Sequence, residues 1–195
     1  MSVAAAVLAA GEGTRFGRDT PKALAPFNGR PLVAWALDAA VASNLRPVLV
    51  VVGAEADAVS ATAPRDVEVV RAADWSGGIA HSLRAALDAL EPAADVTAIC
   101  VGLADQPRVG AEAYRRLASV HTEGVEFAVA TYQGQRGNPV LLGRSLWPAA
   151  RRLHGDTGAR ALMGDHEVVE VDCTGTGDPR DVDTLDDLRA LEEEQ

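Results

Sequence analysis

Short, continuous apolar runs alternate along the chain with longer stretches of helical period, which is the pattern of a mostly parallel sheet covered on both faces. VAAAVLAA (3–10) predicts a strand and PLVAWALDAAVAS (31–43) the helix after it. RPVLVVVG (46–53) is apolar throughout, as a strand buried on both faces must be. AEADAVSATA (54–63) then predicts a helix and DVEVV (66–70) a strand. In SGGIAHSLRAALDAL (76–90), Ile79, Leu83, Ala86, Leu87 and Leu90 recur at helical spacing just after two glycines. VTAICVGL (96–103) is the next buried strand and ends at ADQP; a helix through AYRRLASV (113–120) leads to the strand VEFAVATY (125–132). NPVLL (138–142) predicts an antiparallel partner for that strand, across a turn at QGQRG (133–137). Helical LWPAARRL (146–153) and ARALM (159–163) bracket the loop HGDTG (154–158), and EVVEVDC (167–173) reads as a last strand. The tail DTLDDLRALEEE (183–194) is a helix with Thr184 and Asp187 at capping-box spacing.

No repeat, low-complexity tract or Pro/Gly/Ser linker interrupts the 195 residues, so residues 1–195 read as a single α/β domain with an antiparallel strand or hairpin on a mostly parallel sheet. The formal net charge of −10 argues against a nucleic-acid or anionic-membrane surface, since both require clustered Lys and Arg. Cys100 and Cys173 each lie in an apolar run, which predicts reduced thiols in a cytoplasmic protein. The N-terminal apolar run lacks a basic flank and ends too soon for a span or an ordinary signal peptide. The four histidines show no metal-ligand spacing with each other or with cysteine.

Candidate chemistry gathers in LAAGEGTRFGRDTPKAL (8–24), a glycine-rich turn between the first strand and helix. Its glycines, Gly11, Gly13 and Gly17, give G-x-G-x-x-x-G, one residue longer than the dinucleotide fingerprint, and no G-K-[ST] follows. What remains is a loop whose small residues admit phosphate to the backbone, with Arg15 and Lys22 as cations. A strand-to-helix turn with two surface cations reads the loop equally well. Asp105 in LADQP follows a buried strand, where open α/β sheets place ligands, and a carboxylate facing phosphates suits Mg²⁺. A plain turn Asp ahead of Pro107 is the bland alternative. Asp181 and Asp183 precede the last helix, where acidic residues also serve the helix dipole.

Taken in order, LAAGEGTRFG with PKAL, WSGGIAHSL, LADQP, QRGNPVLL, GDTGAR and DVDTLDDL resemble the nucleotidyltransferases of molybdenum-cofactor maturation, most closely the cytidylyltransferase group. The resemblance spans residues 8–188. It implies a Rossmann-like three-layer α/β/α fold and Mg²⁺-dependent transfer of a nucleoside monophosphate from an NTP to the terminal phosphate of molybdopterin, with release of pyrophosphate. By that resemblance Leu8, Ala9, Ala10, Gly11, Gly13, Arg15, Lys22, Gly78, Ser82 and Asp105 bind the nucleotide. Lys22, Arg15 and Asp105 carry catalysis, and Asp105 and Asp183 hold the metal, Asp181 being the weaker candidate. LAAG in place of LAGG implies CTP rather than GTP.

Arg136, Asn138 and Arg160 are the implied acceptor-binding residues, Arg136 facing the acceptor phosphate. His154 is a candidate for pterin contact, and Asp156 reads best as the cap of the ARALM helix. The implied partners are CTP or GTP, the molybdopterin cofactor and a molybdenum hydroxylase that receives the product. Four residues separate Gly17 from Lys22, a spacing more similar to the cytidylyltransferase acting on methylerythritol phosphate, although that family's D-A-A-R-P is replaced here by LADQP. GMP transfer, methylerythritol phosphate as acceptor, and a nucleotide-binding carrier without turnover therefore stand as alternatives.

Overall fold

A strand whose residues are all apolar has no face fit for water, and strands of this kind form the centre of one sheet flanked by helices. The structure, a computed structural model, describes residues 2–13, 16 and 21–194. In chain order its strands and α-helices are β1 (Ser2–Ala9), β2 (Pro26–Phe27), β3 (Arg30–Pro31), α1 (Leu32–Ala42), β4 (Val48–Val52), α2 (Ala56–Ser60), β5 (Val67–Arg71) and α3 (Ile79–Leu90). There follow β6 (Val96–Leu103), α4 (Ala111–Thr122), β7 (Phe127–Tyr132), β8 (Gln135–Gly143), α5 (Trp147–Ala150), β9 (Val169–Asp172) and α6 (Leu185–Glu193). Among the described residues the main sheet has seven strands in the order β5-β4-β1-β6-β8-β7-β9. β8 runs antiparallel to both neighbours and every other adjacent pair is parallel, so the expected antiparallel strand is inserted between β6 and β7.

The period-2 alternation of β1 divides the core between two faces. Ala5, Val7 and Ala9 pack with Val33 and Leu37 of α1 and with Tyr114 and Leu117 of α4. Ala4, Ala6 and Leu8 pack on the other face with Leu83, Leu87 and Leu90 of α3 and Trp147 of α5. Truncating one of these fully buried leucines to alanine costs about 2–5 kcal/mol. Because α1 and α3 lie on opposite faces, the sheet has a switch point between β1 and β6, and a crevice opens at their carboxyl ends. A third cluster, with Phe27, Leu32, Val182, Leu188 and Leu191, holds the β2–β3 hairpin against α6 beside that crevice. No described helix is long and apolar enough to cross a membrane.

Several elements differ from their sequence expectation for local reasons. The turn before β8 is only Gln133–Gly134, both at positive φ (51° and 78°), as a tight two-residue hairpin requires, so Gln135–Gly137 joins the strand. Pro148 falls in the first turn of α5, which shortens to four residues. Residues 159–163 form a 3-10 helix, Ala159–Gly164, rather than an α-helix. Thr184 and Asp187 form the predicted capping box: the Thr184 hydroxyl accepts from the Asp187 N–H at 3.1 Å, and the Asp187 carboxylate from the Thr184 N–H at 2.7 Å.

Candidate active site

The exits of β1 and β6 are fixed by backbone bonds. Ala104 donates to the Leu8 carbonyl at 3.1 Å and Ala54 to that of Ala10 at 3.0 Å, so Ala10, Gly11 and Asp105 emerge side by side. Val182 donates to the Asp105 carbonyl at 2.9 Å, which lays the segment before α6 across the end of β6 and brings Asp183 opposite Asp105. Lys22, in a short 3-10 turn (Lys22–Leu24), reaches between the two carboxylates. Its Nζ donates to Asp105 Oδ2 and to Asp183 Oδ1, both at 2.6 Å. Gly13 lies under the stem of Lys22 with φ +63°, and a Cβ there would stand 2.3 Å from Lys22 Cβ, so the lysine's path depends on glycine at this point.

Burial works to lower the Lys22 pKa, but Asp105 and then Asp183 outweigh it and hold the ammonium above its ordinary value. Asp105 Oδ1 is buried and has no hydrogen-bond partner among the described residues. An anionic oxygen kept from water in this way demands a cation or a donor. Asp181 is drawn into the same field. Loss of solvent and the charges of Asp105 and Asp183 raise its carboxyl pKa, with Lys22 and Arg160 acting in the opposite sense. Paired hard oxygen donors with open space beside them fit a divalent cation that keeps phosphate and water as its other ligands. No cluster of three or more His, Cys, Asp or Glu suited to a metal occurs among the described residues.

The crevice has three adjoining lobes that share Leu8, Ile79 and Asp156. One, of about 460 Å³, contains Gly11, Gly13, Lys22, Asp105 and Asp183. The next, of about 340 Å³, is bounded by Ala10, Trp75, Ser76, Gly78 and Ser82. The third, of about 320 Å³, lies between α3, β6, β8 and residues 156–161, and takes in Asn138 and Arg160. Gly78, at φ +99°, lets the start of α3 meet the HGDTG loop: a Cβ there would stand 2.3 Å from the Gly155 carbonyl carbon. Ala80 N–H donates to the Gly155 carbonyl at 3.2 Å and fastens that contact.

The crevice thus collects Leu8, Ala9, Ala10, Gly11, Gly13, Lys22, Gly78, Ser82, Asp105, Asn138, Arg160 and Asp183. Arg15 and Gly17 lie outside the described residues. Arg136 is drawn elsewhere: its guanidinium is paired with Glu170 of β9 at 2.7 Å and touches Met163 Sδ at 3.7 Å. Asp156 does not cap the 3-10 helix, whose N-cap is Gly158 with no side-chain bond; it lines all three lobes instead. Ile79 was legible only as a helical apolar position and Trp75 only as part of WSGGIAHSL, because nothing in their spacing tells a pocket wall from a core position. Cys100 and Cys173 are free and buried away from this chemistry.

Comparison with known proteins follows the same outline. The profile described as "MobA-like NTP transferase domain" matches residues 5–171. Nicotine blue oxidoreductase of Paenarthrobacter nicotinovorans is 35% identical over 200 residues, covering 97% of this chain and 96% of that protein. The crystal structure of Rv0371c from Mycobacterium tuberculosis H37Rv is 34% identical, with a TM-score of 0.85 over 98% of each chain. A second structure of Rv0371c, in complex with manganese, superposes with a TM-score of 0.81 over the full length of both chains.

Proposed function

The chain belongs to the MobA-like NTP transferase family and is a nucleotidyltransferase, and from that premise we propose that it transfers CMP from CTP to the terminal phosphate of molybdopterin, releasing pyrophosphate. The observation that carries the reading is Lys22 held between Asp105 and Asp183 at the carboxyl ends of the sheet, next to a buried carboxylate oxygen with no partner among the described residues. Asp105 and Asp183 are the residues to hold Mg²⁺, and a divalent cation is in keeping with the relative crystallised in complex with manganese. A cation bound there supplies charge neutralisation to the phosphate chain.

The remaining work falls to the chain itself. The acceptor phosphate is already an anionic nucleophile, so no side chain need be deprotonated; the site aligns it behind the α-phosphorus and excludes competing water. Lys22, once drawn to the nucleotide, balances charge on the departing pyrophosphate oxygens. The lobe with Ala10, Gly78 and Ser82 takes the base, the Ser82 hydroxyl serving as donor or acceptor. Arg160, in the third lobe, is placed to meet an acceptor anion, and Arg136 could join it only by leaving Glu170. We read the protein as cytoplasmic, with its product passed to a molybdenum hydroxylase.

The test is pyrophosphate release from CTP or GTP, with Mg²⁺ and either molybdopterin or methylerythritol phosphate as acceptor. CTP with molybdopterin is expected to turn over fastest. Faster turnover of GTP, or of methylerythritol phosphate, reassigns the substrate. Mg²⁺-independent nucleotide binding without pyrophosphate under either acceptor makes the protein a carrier.

A further inference from the structure

The third lobe has a chemical polarity that its apolar walls conceal. Ile79, Leu83, Val101, Leu103 and Val140 give it aliphatic sides suited to a flat ring. Its polar character comes from Asn138, Asp156 and Arg160, and the orientation of Asn138 is dictated from behind. The Pro179 carbonyl can only accept, and Gln106 Nε2 donates to it at 2.7 Å. This turns Gln106 Oε1 toward Asn138, whose Nδ2 donates to it at 3.0 Å. Both amides are buried, so neither can flip without leaving a donor against a donor or an acceptor against an acceptor. Asn138 Oδ1 is therefore turned away from Gln106, and the lobe is offered an acceptor on that side.

Asp156 offers a second acceptor. An ionised carboxylate can only accept. Its loop is fixed to the start of α3 by the Ala80–Gly155 bond and the close Gly78–Gly155 approach, and Asp156 lines this lobe. Two acceptors bordering one aliphatic slot favour a ring with N–H donors along that edge, while Arg160, a donor only, is left for the anionic group of the acceptor.

We propose that Asp156 is a specificity-determining residue that pairs with the adjacent N–H donors of a 2-amino-4-oxo heterocycle, with Asn138 as a second acceptor and Gln106 as the positioning residue that sets its polarity. The inference rests on the acceptor reading above, and it names which edge of the acceptor ring is recognised. A carboxylate matches two neighbouring N–H groups side by side, and replacing the ring's amino group by a carbonyl removes that match and sets oxygen against oxygen.

The experiment is a fluorescence titration of the full chain with pterin and with lumazine, its 2,4-dioxo counterpart. Pterin is expected to bind at least about tenfold more tightly. Asp156→Asn, at an exposed loop position, is expected to bring the two within about twofold. Gln106→Met should also erode the preference, and so should Gln106→Glu, whose ionised carboxylate sets an oxygen against the Pro179 carbonyl in place of the Nε2 donor. Equal binding of the two rings, no pterin binding, or a preference unchanged in Asp156→Asn overturns the proposal. So does a change in CTP-against-UTP preference in that variant with the ring preference intact, because Asp156 then reads the nucleotide base. Titrating the same samples with Mn²⁺ and CTP separates the cases: lost nucleotide binding in the unmodified chain removes the transferase reading too, while retained binding confines the failure to the ring assignment.

Discussion

Replacing Lys22 by methionine removes the ammonium between Asp105 and Asp183 while keeping a stem of similar length. The magnitude follows from the geometry. Lys22 is 13% exposed and Asp105 25%, so their 2.6 Å bond is shielded and contributes about 1.5–3 kcal/mol as a charge-assisted hydrogen bond. Asp183 is 37% exposed, and its bond counts for about 1 kcal/mol or less after solvent screening. Two facing carboxylates left behind add mutual repulsion, so the metal-free variant should lose about 2–4 kcal/mol. For a domain of this size that is a fall in Tm of roughly 5–15 °C. The folded Lys22 pKa is raised, so this contribution is fully present below the unfolded value of 10.5 and is lost only as pH rises through the folded one. The difference should therefore hold across neutral pH. Thermal denaturation with EDTA and with Mn²⁺, in the absence of nucleotide, is the assay. Mn²⁺ should restore most of the lost stability in Lys22→Met and stabilise the unmodified protein less, because there the cation must displace the ammonium; Lys22→Arg should lie between them. A variant within about 2 °C of the parent, or an equal Mn²⁺ shift in both proteins, would refute the reasoning.

Asp105→Ala should lower turnover by about two orders of magnitude or more with the fold retained by circular dichroism; near-normal turnover would remove Asp105 from catalysis. Gly78→Ala combines a positive φ with a Cβ 2.3 Å from the Gly155 carbonyl carbon, and should cost about 2–4 kcal/mol and raise KM for the nucleotide by pushing the 154–158 loop off α3. A Tm within error of the parent would show that the loop is not held there. Burial pushes the Cys100 thiol well above its ordinary range and that of Cys173 to about 11. Both thiols should resist alkylation in the native protein at pH 8 and react on unfolding, and their contribution to stability, present below the unfolded value of 9.0, should fade as pH rises through the folded values. Rapid native labelling at pH 8 would contradict that burial.

The centre of the sheet was legible because its strands are apolar on both faces, so VLVVV (48–52) and VTAICVGL (96–103) announce themselves without help from neighbours. Lys22 and Asp105 stood out as a cation after a glycine-rich turn and a carboxylate at a strand exit, yet a plain turn read each of them as well, and only the 2.6 Å bond between them shows that they meet. What sequence could not reveal is contact between segments far apart in the chain. Asp156 looks like a helix cap because an Asp two residues before an apolar turn usually is one. The approach of Gly78 to Gly155, 77 positions away, sets this loop against the start of α3, where Asp156 lines the crevice. Arg136 shows the converse: it stands in the motif that named it, yet strand β8 extends through it and the parallel pairing of β9 with β7 sets Glu170 within its reach, where the two form an exposed ion pair. The Gln106–Asn138 relay is hidden for the same reason, since it depends on the carbonyl of Pro179, brought back by the return of the chain after β9. What the sequence shows is a motif placed at a strand end, and what it hides is the crossing of later segments over the same ends: the Val182–Asp105 bond that brings Asp183 opposite Asp105 joins positions far apart in the chain.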